Sequence, residues 1–202
     1  MIIGISGSSG SGKSFIVKYL KEHFPKDFIA VVYQDNYYKK REEQTKDNEG
    51  NYNFDLPTSF LNDELINDIN KLKEGQSITR YEYNFNNPKI KPKKILVEPK
   101  QLVIIEGLFL FNLPRLSMLL DRKIFIDCNS DLMVKRRIKR DQEKRGYDKL
   151  DVIYKYKNHV MPAYQKYILP FRKQVDLIIN NNQNDNSGAI SALRYIKKEY
   201  SI

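Results

Sequence analysis

Residues 7–14 read Gly7-Ser8-Ser9-Gly10-Ser11-Gly12-Lys13-Ser14, and this segment decides the fold. It fits the pattern G-x-x-x-x-G-K-[ST] at every specified position. Glycines let a backbone curl until consecutive N–H groups face phosphate oxygens, and the helix that follows adds the partial positive charge of its N-terminus. In such a loop the lysine reaches the β- and γ-phosphates, and the last hydroxyl ligates Mg²⁺. We therefore expect residues 7–14 to bind ATP, with Lys13 on the phosphates and Ser14 on the metal.

Apolar runs and helical patterns alternate on either side of this loop, which is typical of a parallel α/β sheet. The runs that we expect to form strands are residues 2–6, 28–33, 102–105, 123–126 and 175–179. The expected helices are residues 13–23, 60–73 (capped by Thr58 or Ser59), 132–144, 148–167 (bent or broken near Pro162) and 189–199. The pattern predicts a parallel five-stranded sheet flanked by helices.

One segment interrupts the alternation. Residues 77–83 and 90–97 flank a polar turn that contains Pro88, and they are expected to form a β-hairpin projecting from the sheet. With a helical lid at about 136–150, residues 1–202 are then a single domain with a hairpin insertion at about 77–98.

Composition narrows the class of protein. The formal net charge of +10 suits polyanionic partners, so nucleic acid and phosphate-bearing small molecules both have to be considered. A single cysteine, Cys128, and two histidines offer little material for a disulfide or a zinc site. No apolar run approaches the length of a membrane span, and the N-terminal residues do not resemble a targeting signal. We expect a cytoplasmic protein without membrane contact.

Two predicted strands end in a carboxylate that could serve a magnesium ion. Glu106 follows residues 102–105, and Asp127 follows residues 123–126. We favour Glu106, because Gly107 lets the backbone turn sharply beside a ligand. A third carboxylate, Asp35, follows residues 28–33, where ligands of open parallel sheets bind. It could accept a hydroxyl proton during phosphoryl transfer, and the aromatic and basic residues around Tyr38 suit an acceptor pocket.

The segment 135–146 is rich in basic residues and allows three interpretations. It is a lid whose arginines neutralise a transferring phosphoryl group, a basic stripe for nucleic acid, or a solvated helix face with charge pairs such as Asp141–Arg145. The phosphate loop favours the lid, and the acidic interruptions and lack of stacking aromatics weaken the nucleic-acid interpretation.

Taken together, these motifs resemble the uridine kinase (uridine–cytidine kinase) family of P-loop kinases, from residue 3 to about residue 179. Besides the phosphate loop, the resemblance rests on Gln34-Asp35-Asn36-Tyr37-Tyr38-Lys39, Asn53-Phe54-Asp55-Leu56-Pro57, Val103-Ile104-Ile105-Glu106-Gly107, Arg136-Arg137-Ile138-Lys139-Arg140-Asp141 and Glu143-Lys144-Arg145-Gly146. It implies the P-loop NTPase fold, ATP and Mg²⁺ as cofactors, a small-molecule acceptor that is uridine or cytidine, and a homo-oligomer.

The resemblance also implies residue roles. Asp35 matches the general base toward the ribose 5′-hydroxyl, with Lys13 and Arg137 completing the catalytic set. Substrate-binding residues are expected at Tyr38, Asp55 (ribose hydroxyls), Tyr81 (the hairpin tyrosine of the nucleoside pocket), Arg137, Arg140 and Arg145. Glu106 matches the magnesium-associated acid, with Ser14 as the other metal ligand.

Five positions depart from the family pattern, namely Leu56, Asn86, Pro88, Tyr147 and Lys155. They include positions expected to contact the pyrimidine, where an unpaired buried polar group can change discrimination by several kcal/mol. Two alternatives therefore stay open: a kinase for another small alcohol, such as pantothenate or a sugar phosphate, and a non-catalytic, nucleotide-dependent nucleic-acid binder.

Overall fold

A computed structural model of the chain describes residues 1–85, 91–183 and 185–200. Its strands are β1 Ile2–Gly7, β2 Ile29–Tyr33, β3 Ile78–Tyr81, β4 Lys94–Val97, β5 Leu102–Glu106, β6 Arg122–Asp127 and β7 Leu177–Asn180. Its α-helices are α1 Lys13–His23, α2 Asn62–Lys73, α3 Pro114–Ser117, α4 Ser130–Arg145, α5 Lys149–Lys155, α6 Met161–Ala163 and α7 Ser187–Tyr200.

Five strands form one parallel sheet in the order β2-β5-β1-β6-β7. All six residues of β1 are buried, as a central strand covered on both faces requires. The predicted parallel five-stranded sheet is confirmed, and each strand lies within two residues of its predicted bounds. Because the strands are parallel, the residues that end β1, β2, β5 and β6 meet at one edge of the sheet, which is where the site forms.

Helices cover both faces of the sheet. On one face, α1 and α7 pack through Ile16, Leu20 and Ile196 against the strands. On the other, α2 contributes Leu65 and Ile69 to a second core. Each buried leucine or isoleucine contributes about 1.5–3 kcal/mol of transfer free energy, so the two cores hold the strand ends rigidly in place. No described helix has the length and apolar content needed to cross a lipid bilayer.

The expected cap of α2 is wrong. The helix begins at Asn62, two residues later than predicted, and neither Thr58 nor Ser59 caps it. Pro57–Ser59 instead forms a turn of 3₁₀-helix, and the Ser59 hydroxyl donates to the Asn53 carbonyl at 3.2 Å. Phe60 is drawn into the core, where its ring stacks on Tyr38 with centroids 4.1 Å apart. Burial of the Phe60 ring therefore stabilises the chain more than two further residues of helix would.

The predicted helix at 148–167 is present but irregular. Asp148 caps α5 by accepting a hydrogen bond from the Leu150 amide at 2.7 Å. Beyond α5 the backbone is π-helical over Tyr156–Val160, returns to α6, which contains Pro162, and is π-helical again over Tyr164–Ile168. The predicted bend or break near Pro162 does not take the form of a break, because the backbone stays helical through it. Proline lacks an amide hydrogen and cannot continue a regular α-helical ladder, and π-helical segments flank it on both sides.

The β3–β4 hairpin is confirmed as an antiparallel pair, with Ile78 opposite Val97 and Tyr81 opposite Lys94. Asn86 and Pro88 of its predicted turn lie outside the described residues.

Candidate active site

The phosphate loop is built so closely that two of its glycines have no substitute. Gly10 and Gly12 adopt φ of +84° and +101°, a region that side chains disfavour. A Cβ on Gly10 would lie 2.3 Å from the Met133 carbonyl oxygen, and one on Gly12 would lie 2.1 Å from Asn181 Nδ2. Asn181 donates to the Ser11 carbonyl at 2.7 Å, which ties the loop to the end of β7.

The residues of the predicted phosphate loop form two groups, those that line the cavity and those that do not. Those that line the cavity described below are Ser9, Gly10, Gly12, Lys13 and Ser14. Gly7, Ser8 and Ser11 lie behind them: the carbonyls of Gly7 and Ser8 accept hydrogen bonds from Lys13 Nζ at 3.0 and 3.1 Å. These bonds hold the lysine along the loop, so that its ammonium group stays at the phosphate position.

Glu106 joins this loop directly. Its Oε2 accepts a hydrogen bond from the Ser14 hydroxyl at 3.0 Å, and its Oε1 lies 3.9 Å from Lys13 Nζ. Burial lowers the pKa of Lys13, and the Glu106 carboxylate opposes that shift. Burial raises the pKa of Glu106, and Lys13 in turn opposes this. Each partner thus opposes the effect of burial on the other, and Ser14, Lys13 and Glu106 are brought together as predicted.

The competing carboxylate, Asp127, has a different role. Its Oδ2 accepts from Arg172 Nε and Nη2 at 2.9 and 2.8 Å, and its Oδ1 accepts from the Cys128 amide at 3.1 Å. It is absent from the described residues that line the cavity. The arrangement therefore favours Glu106 as the acid beside the nucleotide. Gly107 is required by close packing, because a Cβ there would lie 2.5 Å from Gln34 Oε1.

On the acceptor side, Asp35, Tyr38 and Asp55 line the same cavity. Asp35 lies in a turn of 3₁₀-helix directly after β2, where the backbone leaves the sheet. Burial, reinforced by the Asp35 and Asp55 carboxylates, raises the pKa of Tyr38 well above its usual value. The two carboxylates thus disfavour ionisation of the Tyr38 hydroxyl. Tyr37, its neighbour, instead points into the core and donates to Asp68 at 2.9 Å.

The three predicted arginines converge on one carboxylate, Asp141, to which the sequence assigned no role beyond a charge pair with Arg145. Asp141 is buried, and it lies 3.3 Å from Arg137 Nε, 2.8 Å from Arg140 Nε and 3.3 Å from Arg145 Nη1. The spacing of four residues between 137, 141 and 145 puts Arg137, Asp141 and Arg145 on one face of α4. That spacing is the signal that could have identified Asp141 as an organising residue.

Arg137 connects the two halves of the cavity. Its Nη1 donates to the Ser9 hydroxyl of the phosphate loop at 2.9 Å and lies 3.5 Å from Asp55 Oδ1. Its side chain is 11% exposed and Asp55 is 9% exposed, so solvent screens this contact little.

Tyr81 is not placed where the resemblance implied. It is 59% exposed, and it is absent from the described residues that line the cavity. Phe85 lines the acceptor side instead, with its ring centroid 5.7 Å from that of Tyr38. Tyr83 is also absent from the described lining residues, but its ring packs against Tyr38 with centroids 5.0 Å apart. The Arg145 guanidinium carbon lies 3.5 Å from the centroid of the Phe85 ring.

Two of the departures from the family pattern face the cavity. The Tyr147 hydroxyl donates to the Phe85 carbonyl at 3.0 Å, and Lys155 Nζ lies 4.8 Å from the centre of the Tyr147 ring and 2.8 Å from Asp151 Oδ2. His159, Tyr52 and Val152 line the same region and were not predicted. Leu56 is not among the lining residues of the described chain.

All these groups surround one cavity of about 250 Å³ at the carboxyl edge of the sheet. Lys13, Ser14 and Glu106 form its nucleotide side, and Asp35, Tyr38, Asp55 and Phe85 its acceptor side, with the α4 arginines between. Among the described residues no cluster of three histidine, cysteine, aspartate or glutamate side chains could hold a metal ion alone. The Ser14 hydroxyl and the Glu106 carboxylate are hard oxygen donors that suit Mg²⁺, which commonly takes few protein ligands and completes its shell with phosphate oxygens and water.

Comparison with known proteins gives a consistent result. A family model described as "Phosphoribulokinase / Uridine kinase family" matches residues 2–187. A uridine kinase from Brevibacillus brevis is 35% identical over 179 residues, covering 89% of this chain and 84% of its own. A uridine kinase from Chlamydia pneumoniae is 37% identical over 190 residues, covering 92% and 84%.

Solved structures share the fold at lower identity. A possible uridine kinase from Bacillus stearothermophilus has a TM-score of 0.64 at 18% identity, over 88% of this chain and 87% of its own. A phosphoribulokinase from Rhodobacter spheroides has a TM-score of 0.62 at 18% identity, over 89% and 69%. At this level of identity the structures support the P-loop kinase fold alone.

Proposed function

Since the chain belongs to the phosphoribulokinase and uridine kinase family, we propose that it transfers the γ-phosphoryl group of ATP to the 5′-hydroxyl of a ribonucleoside, uridine or cytidine. The observation that carries this proposal is the position of Arg137, which contacts Ser9 of the phosphate loop and Asp55 of the acceptor side. A phosphoryl group that moves from nucleotide to acceptor carries negative charge. A cation placed between the nucleotide site and the carboxylate that binds the acceptor hydroxyls can stabilise this charge.

On the nucleotide side, the loop amides and Lys13 bind the phosphates of ATP. Ser14 and Glu106 are the residues that would hold Mg²⁺. When bound, this ion neutralises the charge of the phosphate oxygens. Glu106 has a second task, because its carboxylate opposes the lowering of the Lys13 pKa by burial.

On the acceptor side, Asp35 takes the proton of the attacking hydroxyl, while the new O–P bond forms and the bond to the ADP oxygen breaks. The negative charge of the transferring group is spread over its outer oxygens. Arg137, Arg140 and Arg145 face this charge from α4, and Asp141 holds them in position before any ligand arrives. The enzyme therefore does not have to reorganise its arginines as the charge develops.

Recognition of the nucleoside is assigned to Asp55 and the aromatic wall. Asp55 accepts hydrogen bonds from the ribose hydroxyls, and the rings of Tyr38, Tyr83 and Phe85 offer apolar faces to the base. Tyr81 is left out of this assignment because of its exposure.

Lys155 favours a second candidate acceptor. Its ammonium group lies at the acceptor side of the cavity, and it could pair with an anionic group of a small alcohol such as pantothenate or a sugar phosphate. The same kinase mechanism would apply with a different substrate.

Release of ADP by the purified protein with ATP and Mg²⁺ tests both candidates. The acceptor panel contains uridine, cytidine, their deoxyribose counterparts, pantothenate and sugar phosphates. Stimulation by uridine or cytidine, and its loss in Asp35→Asn, is the expected result. Stimulation by pantothenate or a sugar phosphate alone would replace the proposed substrate by the second candidate. ATP binding without acceptor-dependent turnover on the whole panel would refute the proposed function.

A further inference from the structure

Two side chains on the acceptor side, those of Tyr154 and His159, meet at the carboxylate of Asp47, which has no part in the mechanism above. Asp47 Oδ2 accepts a hydrogen bond from the Tyr154 hydroxyl at 2.9 Å and lies 2.8 Å from His159 Nε2. The other oxygen, Oδ1, accepts from the amides of Glu49 and Asn51 at 3.0 and 2.8 Å. We call Asp47, Tyr154 and His159 the Asp47 cluster.

The cluster is not a surface ion pair. His159 has a side chain only 2% exposed, and it contacts the ring of Tyr154 edge-on with centroids 6.0 Å apart. Because a carboxylate faces Nε2, this nitrogen is the donor of the hydrogen bond to Asp47. Nδ1 is buried and has no hydrogen-bond partner among the described residues. A buried histidine in this state gains its stabilisation from the bond to Asp47, so the two residues are strongly coupled.

One side of the cluster controls the segment that leads to Asp55. The Asp47 amide donates to the Asn51 carbonyl at 2.9 Å, and the Asn53 amide donates to the Thr45 carbonyl at 2.7 Å, so residues 45–53 form a closed loop. The Asp55 amide then donates to the Asn53 side chain at 2.9 Å. A displacement of this loop would therefore move the Asp55 carboxylate.

The other side of the cluster belongs to the helical wall of the cavity. His159 lines the cavity together with Lys155 and Asp151, one and two helical turns before it. It lies in the π-helical segment Tyr156–Val160, and insertions of this kind occur frequently at functional sites. The Asp47 cluster thus joins the loop before Asp55 to the wall opposite.

We propose that His159 is a positioning residue for acceptor binding, which acts through Asp47 to fix the loop at residues 45–53 and hence the ribose-binding carboxylate of Asp55. This inference rests on the proposed function, because it assigns Asp55 to the acceptor. It concerns binding of the acceptor first, since neither Asp47 nor His159 contacts the phosphate loop in any described hydrogen bond and Asp55 reaches that loop only through Arg137.

The test compares His159→Leu with His159→Gln in steady-state assays that vary uridine and ATP separately. In the leucine variant we expect the KM for uridine to rise about tenfold, as loss of a hydrogen bond to a charged group allows. The kcat and the KM for ATP should stay within about twofold. The glutamine variant keeps a donor toward Asp47 and should restore most of the uridine KM. The chain offers a matched control in its other histidine, since His23→Leu changes an exposed residue of α1.

A purely structural role would give a different pattern. Partial unfolding reduces the active fraction, which lowers kcat and leaves both KM values unchanged. If His159→Leu does not fold, Tyr154→Phe removes the second donor to Asp47 while it keeps the ring, and it should raise the uridine KM in the same direction. An unchanged uridine KM in the folded variants overturns the proposal. If the unmodified protein phosphorylates neither uridine nor cytidine, it is the proposed function that fails.

Discussion

Replacement of Glu106 by glutamine removes one negative charge from the centre of the site and nearly preserves its shape. The carboxylate lies 3.9 Å from Lys13 Nζ and accepts a hydrogen bond from Ser14 at 3.0 Å. Both charged side chains are close to fully buried, at 7% exposure for Lys13 and 11% for Glu106. The variant therefore tests whether this pair organises the nucleotide and its metal ion.

The size of the effect follows from the distance between the charges. At 3.9 Å, and at an effective dielectric constant of about 20, the Lys13–Glu106 attraction is about 4 kcal/mol. Part of it is retained, because the carbonyls of Gly7 and Ser8 still accept hydrogen bonds from the ammonium group. We expect a loss of about 2–3 kcal/mol in transition-state stabilisation, which corresponds to roughly a 100-fold lower kcat/KM for ATP.

Two measurements check this expectation. In a titration with Mg²⁺, the Glu106→Gln variant should require a higher metal concentration for half-maximal rate, since one oxygen ligand has lost its charge. In a pH profile, its alkaline limb should move to lower pH. The reason is that Glu106 opposes the lowering of the Lys13 pKa by burial, so that without it Lys13 loses its proton at a lower pH.

Asp127→Asn is the matched control, because Asp127 ends the strand on the other side of β1 and pairs with Arg172. It should lower thermal stability and leave the Mg²⁺ dependence unchanged. A Glu106→Gln enzyme whose Mg²⁺ requirement and alkaline limb both match the unmodified protein would refute the role of Glu106, as would an equal change of the Mg²⁺ requirement in the control.

Three further predictions concern other residues of the site. Asp35→Asn should lower kcat about 100-fold or more, as loss of a general base does, while direct titration should show ATP affinity within about twofold. Asp141→Asn should lower the free energy of unfolding by about 3 kcal/mol near neutral pH, as measured by urea denaturation. Burial alone would raise the pKa of Asp141, but Arg140 together with Arg137 and Arg145 holds this pKa below its usual range. The stability lost in the variant should therefore become smaller as the pH falls through the lowered pKa of Asp141. A Phe85→Ala variant should raise the acceptor KM about tenfold, whereas Tyr81→Ala should leave it within about twofold; equal effects would contradict the placement of the hairpin.

The strand, loop and helix around residues 7–14 could be predicted from the sequence because their function restricts them. A phosphate loop needs a strand before it and a helix N-terminus after it, and α1 begins and ends where the pattern predicts. Glu106 could be predicted for a related reason. It ends a strand that pairs with β1 in the sheet, so its carboxylate is carried to the loop by the topology.

The hairpin tyrosine could not be placed in this way. Tyr81, Tyr83 and Phe85 are alternate residues, and in a regular strand all three would share one face. However, β3 ends at Tyr81, and the chain then turns toward the acceptor side, where the Tyr83 amide donates to Asn36 Oδ1 at 3.1 Å. The rule of alternation ends with the strand, and of these three residues Phe85 is the one among the described lining of the cavity. The coupling of Asp47 to His159 was equally hidden, since 112 residues separate the two.

Net charge is a poor guide to this site, as the residues around the cavity show. The described lining contains six cations and five carboxylates, so the cavity is close to balanced although the chain carries +10 overall. A groove that binds nucleic acid along its backbone needs an excess of cations without internal partners. Here one carboxylate, that of Asp141, contacts three arginines. These contacts keep the arginines ordered, and three positive charges against one negative charge leave a net positive charge beside Asp55. Such a site holds its cations in fixed positions, ready to stabilise negative charge that develops during the reaction. A polyanion that could contact only one face of α4 would be bound weakly by it.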